Sequence, residues 1–521
     1  MEEHIYYRPA WTCGRYNKDK AVAIYYNLIE GFSYFFEEYS AVVIGFILSI
    51  KRNNSFTLDE ISEKTGFAKE NLLDFLNQLD ELKIISSIEP TANFTSEYRK
   101  KCAEYKCSNA VNTVKRTEEK LPFFVSNAEM EYTSKVNGIT GVMFELTYNC
   151  SEKCVHCYNP GATRNDGEKS YRGDREELYI NDYKRIIDEL YEEGLVKVCL
   201  TGGDPFSKKI VWDILDYLYE KEIAFDIYTN GQSIVNKVEK IANYYPRIVG
   251  ISIYSGDENE HDYITRVKGS WNKSIDVVKQ LSALSVPMNL KCCIMRPNIK
   301  NYYKVADIAK QYGAVVQYEV SVTDSVDGDR CVSNYLRLTP EQLEVVLRDD
   351  NIPLYVGKEA PNYGGQKKEM VNNACGAGDN SFCITPDGNL IPCCSFHAVF
   401  GNLKKQSLKS IISQSDGLKW WRGLTLNEYE ECGKYDYCNY CNLCAGNNYS
   451  EHGTPIKASE NNCYIAKVRY NLAQKMMNEG YDPLNGKTLQ EVLAEMPDYV
   501  TNVIKREKTR DYSDLSLTVG G

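Results

Sequence analysis

The sequence predicts an α/β protein. Six β/α repeats in the middle of the chain form either a doubly wound parallel sheet or a partial barrel, between an N-terminal module of winged-helix outline and a cysteine-rich C-terminal region. Three observations predict it. Strand-like runs alternate with amphipathic helical runs between residues 141 and 322, the pattern of a parallel sheet. Residues 1–110 carry a β-hairpin and three helices of their own, and the cysteines gather at 150–157 and 375–463. At 521 residues the chain is also too long for one compact core, so several domains are expected.

In the N-terminal module, residues 21–26 and 32–36 are β-rich and Glu30-Gly31 supplies the turn between them. The apolar run 40–50 predicts a buried helix and is too short to span a bilayer. Thr57 and Glu60 stand at capping-box spacing, starting a second helix that Gly66 can end. Leu72, Leu73, Leu76, Leu79 and Leu82 recur at helical spacing and give a third helix with one apolar face. A linker, 111–138, follows.

Strands are expected at 141–147, 196–201, 225–229, 249–254, 288–294 and 315–321, with helices at 183–193, 210–219, 275–284 and 302–312, inside a domain spanning 139–323. With either winding, the loops after the strand C-termini build the site. Residues 324–374 read as a bridging segment with one helix begun at Thr339-Pro340-Glu341, and 375–470 as the cysteine-rich domain. The pattern is helical over 464–480, and 471–521 is read as a C-terminal helical tail whose last forty residues are charged.

Composition excludes some functions. A net charge of -11 argues against a protein that lives on nucleic acid. The start Met1-Glu2-Glu3-His4 lacks a basic run followed by an apolar one, so a cytoplasmic location without a membrane partner is expected. That compartment keeps thiols reduced, so nineteen cysteines point to metal or iron-sulfur ligation rather than disulfides. The forty tyrosines are read as amphipathic packing.

The chemistry is concentrated after the first strand of the repeat domain. Cys150, Cys154 and Cys157 are spaced x3 then x2 in one loop. Three thiolates hold three irons of a 4Fe-4S cluster and leave the fourth iron open. Zinc is the alternative, but a structural zinc site closes with four ligands and only His156 is near. The arrangement resembles the radical S-adenosylmethionine (SAM) superfamily, with His156 in the aromatic place before the third cysteine.

The resemblance implies a partial (β/α)6 TIM-like barrel and a SAM molecule chelated by the open iron through its amino and carboxylate groups. Reductive cleavage of that SAM yields a 5'-deoxyadenosyl radical, with Cys150, Cys154 and Cys157 as the catalytic cluster ligands. Gly202-Gly203-Asp204-Pro205, after the second strand, is similar to the family's motif for the methionine amino group, with Asp204 where relatives carry glutamate. Ser252 is similar to a serine that contacts the ribose. Arg266 is placed like an arginine that reaches the SAM carboxylate, although a surface arginine fits equally. Thr229-Asn230-Gly231 ends strand three, read either as a plain turn or as a substrate contact.

The second cysteine group runs Cys375, then Gly388 after twelve residues, Cys393 after four more, then Cys432, Cys438, Cys441, Cys444 and, after eighteen, Cys463. Its order resembles the SPASM domain, the auxiliary-cluster extension of peptide-modifying radical SAM enzymes. The central spacings, x5, x2 and x2, differ from the usual pattern. By order, the resemblance implies an outer cluster on Cys432, Cys438, Cys441 and Cys463 and an inner one on Cys375, Cys393 and Cys444. Cys383 could close the inner cluster, but a buried small residue in a strand is the stronger reading; a substrate thiolate could close it instead. Cys394 should point away from Cys393 if that segment is extended, and is left out.

The N-terminal module resembles the precursor-recognition domain of enzymes that make ribosomally synthesised, modified peptides. That resemblance implies a leader peptide added as a strand beside residues 31–37. Together these resemblances imply a peptide maturase that installs a cross-link, most readily a Cys thioether of sactionine or ranthipeptide type, with an external electron donor such as flavodoxin or ferredoxin. Carbon-carbon or carbon-oxygen cross-linking, epimerisation and side-chain oxidation are the enzymatic alternatives. Outside enzymes, a redox-sensing DNA-binding iron-sulfur regulator is the competing reading, and the open cysteine triplet argues against it.

Overall fold

The computed structural model describes residues 4–109, 126–159, 176–325, 331–357 and 375–499. Its N-terminal part contains β1 (Ile5–Tyr7), β2 (Thr12–Asn17), β3 (Val22–Asn27), β4 (Phe32–Glu37) and β5 (Ser55–Thr57), with helices α1 (Glu38–Ser49), α2 (Leu58–Thr65), α3 (Lys69–Glu81) and α4 (Ala92–Asn109). β3 and β4 form the expected hairpin, and β2 adds a third strand, leaving β4 at one edge. The capping box at Thr57 and Glu60 and the left-handed Gly66 bound α2 as the spacing requires. One face of this sheet packs on α1–α3 through Tyr25, Ile44, Leu72 and Leu76. The other face packs on α5 (Asn127–Val136) and on the barrel through Tyr26, Tyr132, Val196 and Ala224.

The central sheet contains β6 (Gly141–Glu145), β7 (Lys197–Thr201), β8 (Ala224–Thr229), β9 (Ile248–Ser252), β10 (Met288–Cys293) and β11 (Val315–Glu319), all parallel. They lie side by side in chain order with no reversal. A doubly wound sheet reverses at a switch point, so this order decides for one-way winding, that of a partial barrel. Beyond β6 the sheet is continued by β12 (Ser381–Ile384), parallel to it, then by β13 (Asn389–Ile391), antiparallel to β12, and β14 (Gly401–Asn402), antiparallel to β13. The cysteine-rich region is thus hydrogen-bonded into the barrel sheet, which spacing alone did not suggest.

Strand residues alternate between two faces. Val142, Phe144, Val198, Leu200, Ile227, Val249, Ile251 and Leu290 are buried under the surrounding helices. Strand register places Glu145 with Thr201, Cys199 with Asp226, Tyr228 with Gly250, and Ser252 with Lys291 on the opposite, inner face. This inner face is markedly polar.

The N-terminal domain sits at the foot of the barrel, where the strands begin. Arg8 pairs with Glu222, Arg15 donates to Leu195 O, Arg52 to Tyr219 O, and Arg99 to Ala242 O and Leu284 O. Every one of these acceptors precedes a strand.

Candidate active site

The opposite end of the barrel is built from the loops after β6, β7, β8 and β9. The cysteine loop is fastened along the end of the helix Glu258–Thr265, with Lys153 N donating to Thr265 O at 3.0 Å and Val155 N to Ile264 O at 2.9 Å. Cys150 is exposed at the rim while Cys154 and Cys157 are half-buried. Burial pushes the Cys154 thiol well up, and Glu152, Cys157 and Cys150 push it further, so the three thiols stand within electrostatic reach of one another. Such a site favours thiolates only when a cation joins them.

His156 is half-buried and meets the Tyr254 ring edge-on, with centroids 4.6 Å apart. Burial lowers its pKa to about 4, so the imidazole is neutral. Its Nδ1 is buried with no hydrogen-bond partner among the described residues. A loop of three thiols beside an unsatisfied buried ring nitrogen fits a cluster with an organic ligand alongside. Among the described residues no three histidine, cysteine or acidic side chains converge as ligands of a single ion would; a cubane distributes its thiolates over separate irons.

The glycine motif after β7 is wedged against the cysteine loop. A Cβ on Gly202, whose φ is +128°, would lie 2.4 Å from Thr147 O, and one on Gly203 2.4 Å from Asn149 O. Gly203 N and Asp204 N donate to these two carbonyls at 2.6 and 2.9 Å. The glycines therefore let two strand-end backbones touch. Pro205 is buried and opens the short turn Pro205–Ser207.

Asp204 is 0% exposed and turned inward. Its Oδ1 accepts from Phe206 N at 2.8 Å, and its Oδ2 from Thr229 Oγ1 at 2.7 Å and Asn230 N at 3.2 Å. Ser252 ends β9 on the inner face, half-buried. Arg266 caps the helix Glu258–Thr265 in the left-handed region, φ +57°, exposed and next to the residues that hold the cysteine loop.

Sequence reasoning assigned no contact with the thiols to three of their neighbours. Asn230 Nδ2 donates to Cys150 Sγ at 3.3 Å, Cys154 Sγ donates to Tyr254 OH at 3.9 Å, and Glu152 N donates to Cys150 Sγ at 3.4 Å. Thr229-Asn230-Gly231 was visible as a motif, but nothing in it says that a side chain turns toward a cysteine eighty residues earlier. Below this rim, Lys291 lies over Tyr228, and burial lowers its pKa to about 8.

In the C-terminal region Cys393 stands near Cys394, Cys444 and Cys375, which together with burial raise its thiol pKa. Cys463, on the first turn of the helix Glu460–Glu479, is near Cys438. Tyr429 is influenced by Cys375, Cys432 and Cys444 alike. Cys441 is half-buried at the end of the short turn Asp436–Tyr440. Cys383 is fully buried in β12 opposite Met143, and its neighbours are Glu145, Cys394, Cys393 and Cys199. Cys394 turns toward Glu145, Tyr158 and Lys291 at the barrel's inner face.

Residues 144–321 match the family model of the radical SAM superfamily, and residues 375–445 match that of the SPASM iron-sulfur cluster-binding domain. The chain carries both domains. It is accordingly a radical SAM enzyme of the SPASM type, whose cofactors are 4Fe-4S clusters and SAM. Among curated relatives it is 26% identical, over 307 residues, to the antilisterial bacteriocin subtilosin biosynthesis protein AlbA of Bacillus subtilis; the match covers 58% of this chain and 66% of AlbA. It is likewise 26% identical to the mycofactocin maturase MftC of Mycobacterium tuberculosis, covering 57% of this chain and 76% of the relative. A similar solved structure is Streptococcus suis SuiB bound to precursor peptide SuiA, at 13% identity and TM-score 0.47, covering 88% of this chain and 99% of that one. Among the described residues no helix is long and apolar enough to cross a membrane.

Proposed function

We propose that this radical SAM enzyme is a maturase of a ribosomally made precursor peptide and installs a cross-link, a Cys thioether of sactionine or ranthipeptide type. The observation that carries the reading is the coupling of three parts: an edge strand for a peptide, a barrel mouth with an open cysteine triplet, and an auxiliary-cluster domain joined to the same sheet. The relatives' names support peptide chemistry, since they include a bacteriocin biosynthesis protein, a maturase and a PqqA peptide cyclase.

On this reading Cys150, Cys154 and Cys157 hold the SAM cluster. His156, the backbone of Gly202, Gly203 and Pro205, and Ser252 and Arg266 line the SAM site. Cys375, Cys393, Cys432, Cys438, Cys441, Cys444 and Cys463 hold the auxiliary clusters, with Cys383 or a substrate thiolate as the remaining candidate for the inner one. When bound, these groups supply a 5'-deoxyadenosyl radical and an electron acceptor. The chain's own part is to position the precursor: the exposed edge of β4 offers unpaired backbone groups to a leader strand, and the polar inner face receives the residue to be modified. The donor of the priming electron is an external flavodoxin or ferredoxin, in the cytoplasm.

The test is anaerobic reconstitution with iron, sulfide, SAM, dithionite and the precursor, read by mass spectrometry. The expected result is 5'-deoxyadenosine together with a peptide that has lost two hydrogens and one alkylatable thiol per cross-link. Unchanged peptide mass with deoxyadenosine present assigns epimerisation instead, and no deoxyadenosine overturns the proposal.

A further inference from the structure

We infer that Asn230 is a positioning residue for the SAM cluster, donating a hydrogen bond to the Cys150 thiolate, and that Asp204 serves to seat Asn230 rather than to bind the SAM amino group. The inference rests on the assignment of Cys150, Cys154 and Cys157 as the ligands of that cluster.

Asn230 is 6% exposed and every polar atom it has is engaged. Its backbone N donates to Asp204 Oδ2 at 3.2 Å, and its carbonyl accepts from Ser274 Oγ at 2.8 Å. Its Oδ1 accepts from Gln232 N at 3.0 Å. That last bond fixes which end of the side-chain amide is which, because a flipped amide would set two donors against each other. The NH2 group is thereby aimed at the cysteine loop, with Nδ2 3.3 Å from Cys150 Sγ and 3.2 Å from Ser151 Oγ.

Asp204 is sealed among its own loops, with three of its roughly four lone-pair sites taken up by them. Both oxygens are committed to Phe206, Thr229 and Asn230, and the residue has no exposed surface. The amino-group role implied for this position therefore falls to the backbone of Gly202 and Gly203, while the carboxylate braces the loops after β7 and β8 together.

A hydrogen bond to a ligating thiolate spreads its charge and favours the more negative, reduced cluster. Asn230→Ala is therefore expected to keep full cluster iron and wild-type SAM affinity while its SAM-cluster midpoint potential moves negative. In protein labelled with 15N-asparagine, pulsed EPR of the reduced, SAM-sensitive signal should show a nitrogen coupling that Asn230→Ala loses. Asp204→Ala should lose the same coupling, and Asp204→Asn, which keeps an acceptor, should retain both the coupling and wild-type SAM binding by equilibrium dialysis. An unmoved potential in Asn230→Ala, a coupling that survives Asp204→Ala, or a tenfold loss of SAM affinity in Asp204→Asn overturns the inference. Failure of the underlying assignment reads differently: Cys150→Ala/Cys154→Ala/Cys157→Ala would then keep the SAM-sensitive signal.

Discussion

The ammonium of Lys291 lies 3.3 Å from the centroid of the Tyr228 ring, inside the barrel, and Gly250 on the strand between them is what lets the two meet. A cation over a ring face is attracted by the ring quadrupole, more strongly where water is excluded.

Gly250→Ala should separate that pair. The added Cβ would lie 2.7 Å from Tyr228 Cδ1 and 3.0 Å from Lys291 Cε, closer than side chains tolerate. Overpacking of this kind costs about 1–3 kcal/mol, so a lower apparent melting temperature is expected under anaerobic thermal unfolding. Gly269→Ala, where a Cβ meets nothing within 4 Å but the φ is +80°, should show only backbone strain.

Lys291 also sets a pH dependence. Burial lowers its pKa from 10.5 to about 8, against the opposing influence of Cys199, Cys394 and Asp226. Below pH 8 the folded protein carries a cation that burial disfavours. Between about 8 and 10.5 the unfolded chain binds the proton and the folded chain does not, so this group makes stability rise with pH in that window. Lys291→Met should be the more stable form at neutral pH, by a few kcal/mol if the whole shift is recovered, each unit being about 1.4 kcal/mol. Its advantage should shrink toward pH 10.5. Unfolding of both proteins across this range checks it, and a difference that does not vary with pH would count against a charged Lys291.

The joint between the N-terminal domain and the barrel depends on Arg8. Its guanidinium is 0% exposed, donates to Leu48 O at 3.0 Å and Ile50 O at 2.6 Å, and pairs with Glu222 at the barrel foot. Glu222→Ala leaves a buried cation without its carboxylate, at a cost of about 1.5–3 kcal/mol. Faster hydrogen exchange in β2, β3 and α1, with barrel strands unchanged, is the expected readout. Glu222→Gln, which keeps one acceptor, should sit between.

How much of this was legible in the sequence follows from how local each signal is. The six barrel strands, the Thr57 cap and the apolar stripe of α3 depend on neighbours within a few residues, and they stand where periodicity placed them. The helices Val238–Asn243 and Glu258–Thr265 were missed because six to eight residues give too few turns for an apolar stripe. β2 was missed because Thr12-Cys13-Gly14-Arg15 has no clean alternation; it is held by its antiparallel ladder to β3, where a Cβ on Gly14 would lie 2.3 Å from Ile24 O. The cysteine spacing located the site, while the hydrogen-bond partners of those thiols, Asn230 and Tyr254, come from other strands and have no signature along the chain. For Asp204 the departure from glutamate was legible, and its inward bonds were not.

The placement of the domains constrains the precursor. β4 is at the barrel foot, where a Cβ on Gly31 would lie 3.2 Å from Pro287 Cγ, whereas the cysteine loop is at the mouth. Strands of five or six residues span about 17–20 Å, so a leader bound at β4 must be followed by at least about six extended residues before the modified one. Precursors with progressively shortened spacers should keep their affinity for the enzyme in fluorescence polarisation but lose product once the spacer falls below that length. Equal product at every length would mean the leader docks elsewhere.

Cys393 and Cys394 are adjacent yet face different chemistry, and their variants should separate. Cys393 points to Cys375 and Cys444, and Cys394 to Glu145, Tyr158 and Lys291 on the barrel's inner face. Cys393→Ser should therefore lose roughly one cluster's worth of iron and sulfide from the anaerobically reconstituted enzyme, whereas Cys394→Ser should keep it all. Because Cys394 borders the space where substrate is proposed to react, its serine variant should change product yield with the iron content intact. Iron loss in Cys394→Ser equal to that in Cys393→Ser would instead make Cys394 a ligand, and would remove the need for Cys383 or a substrate thiolate to complete the inner cluster.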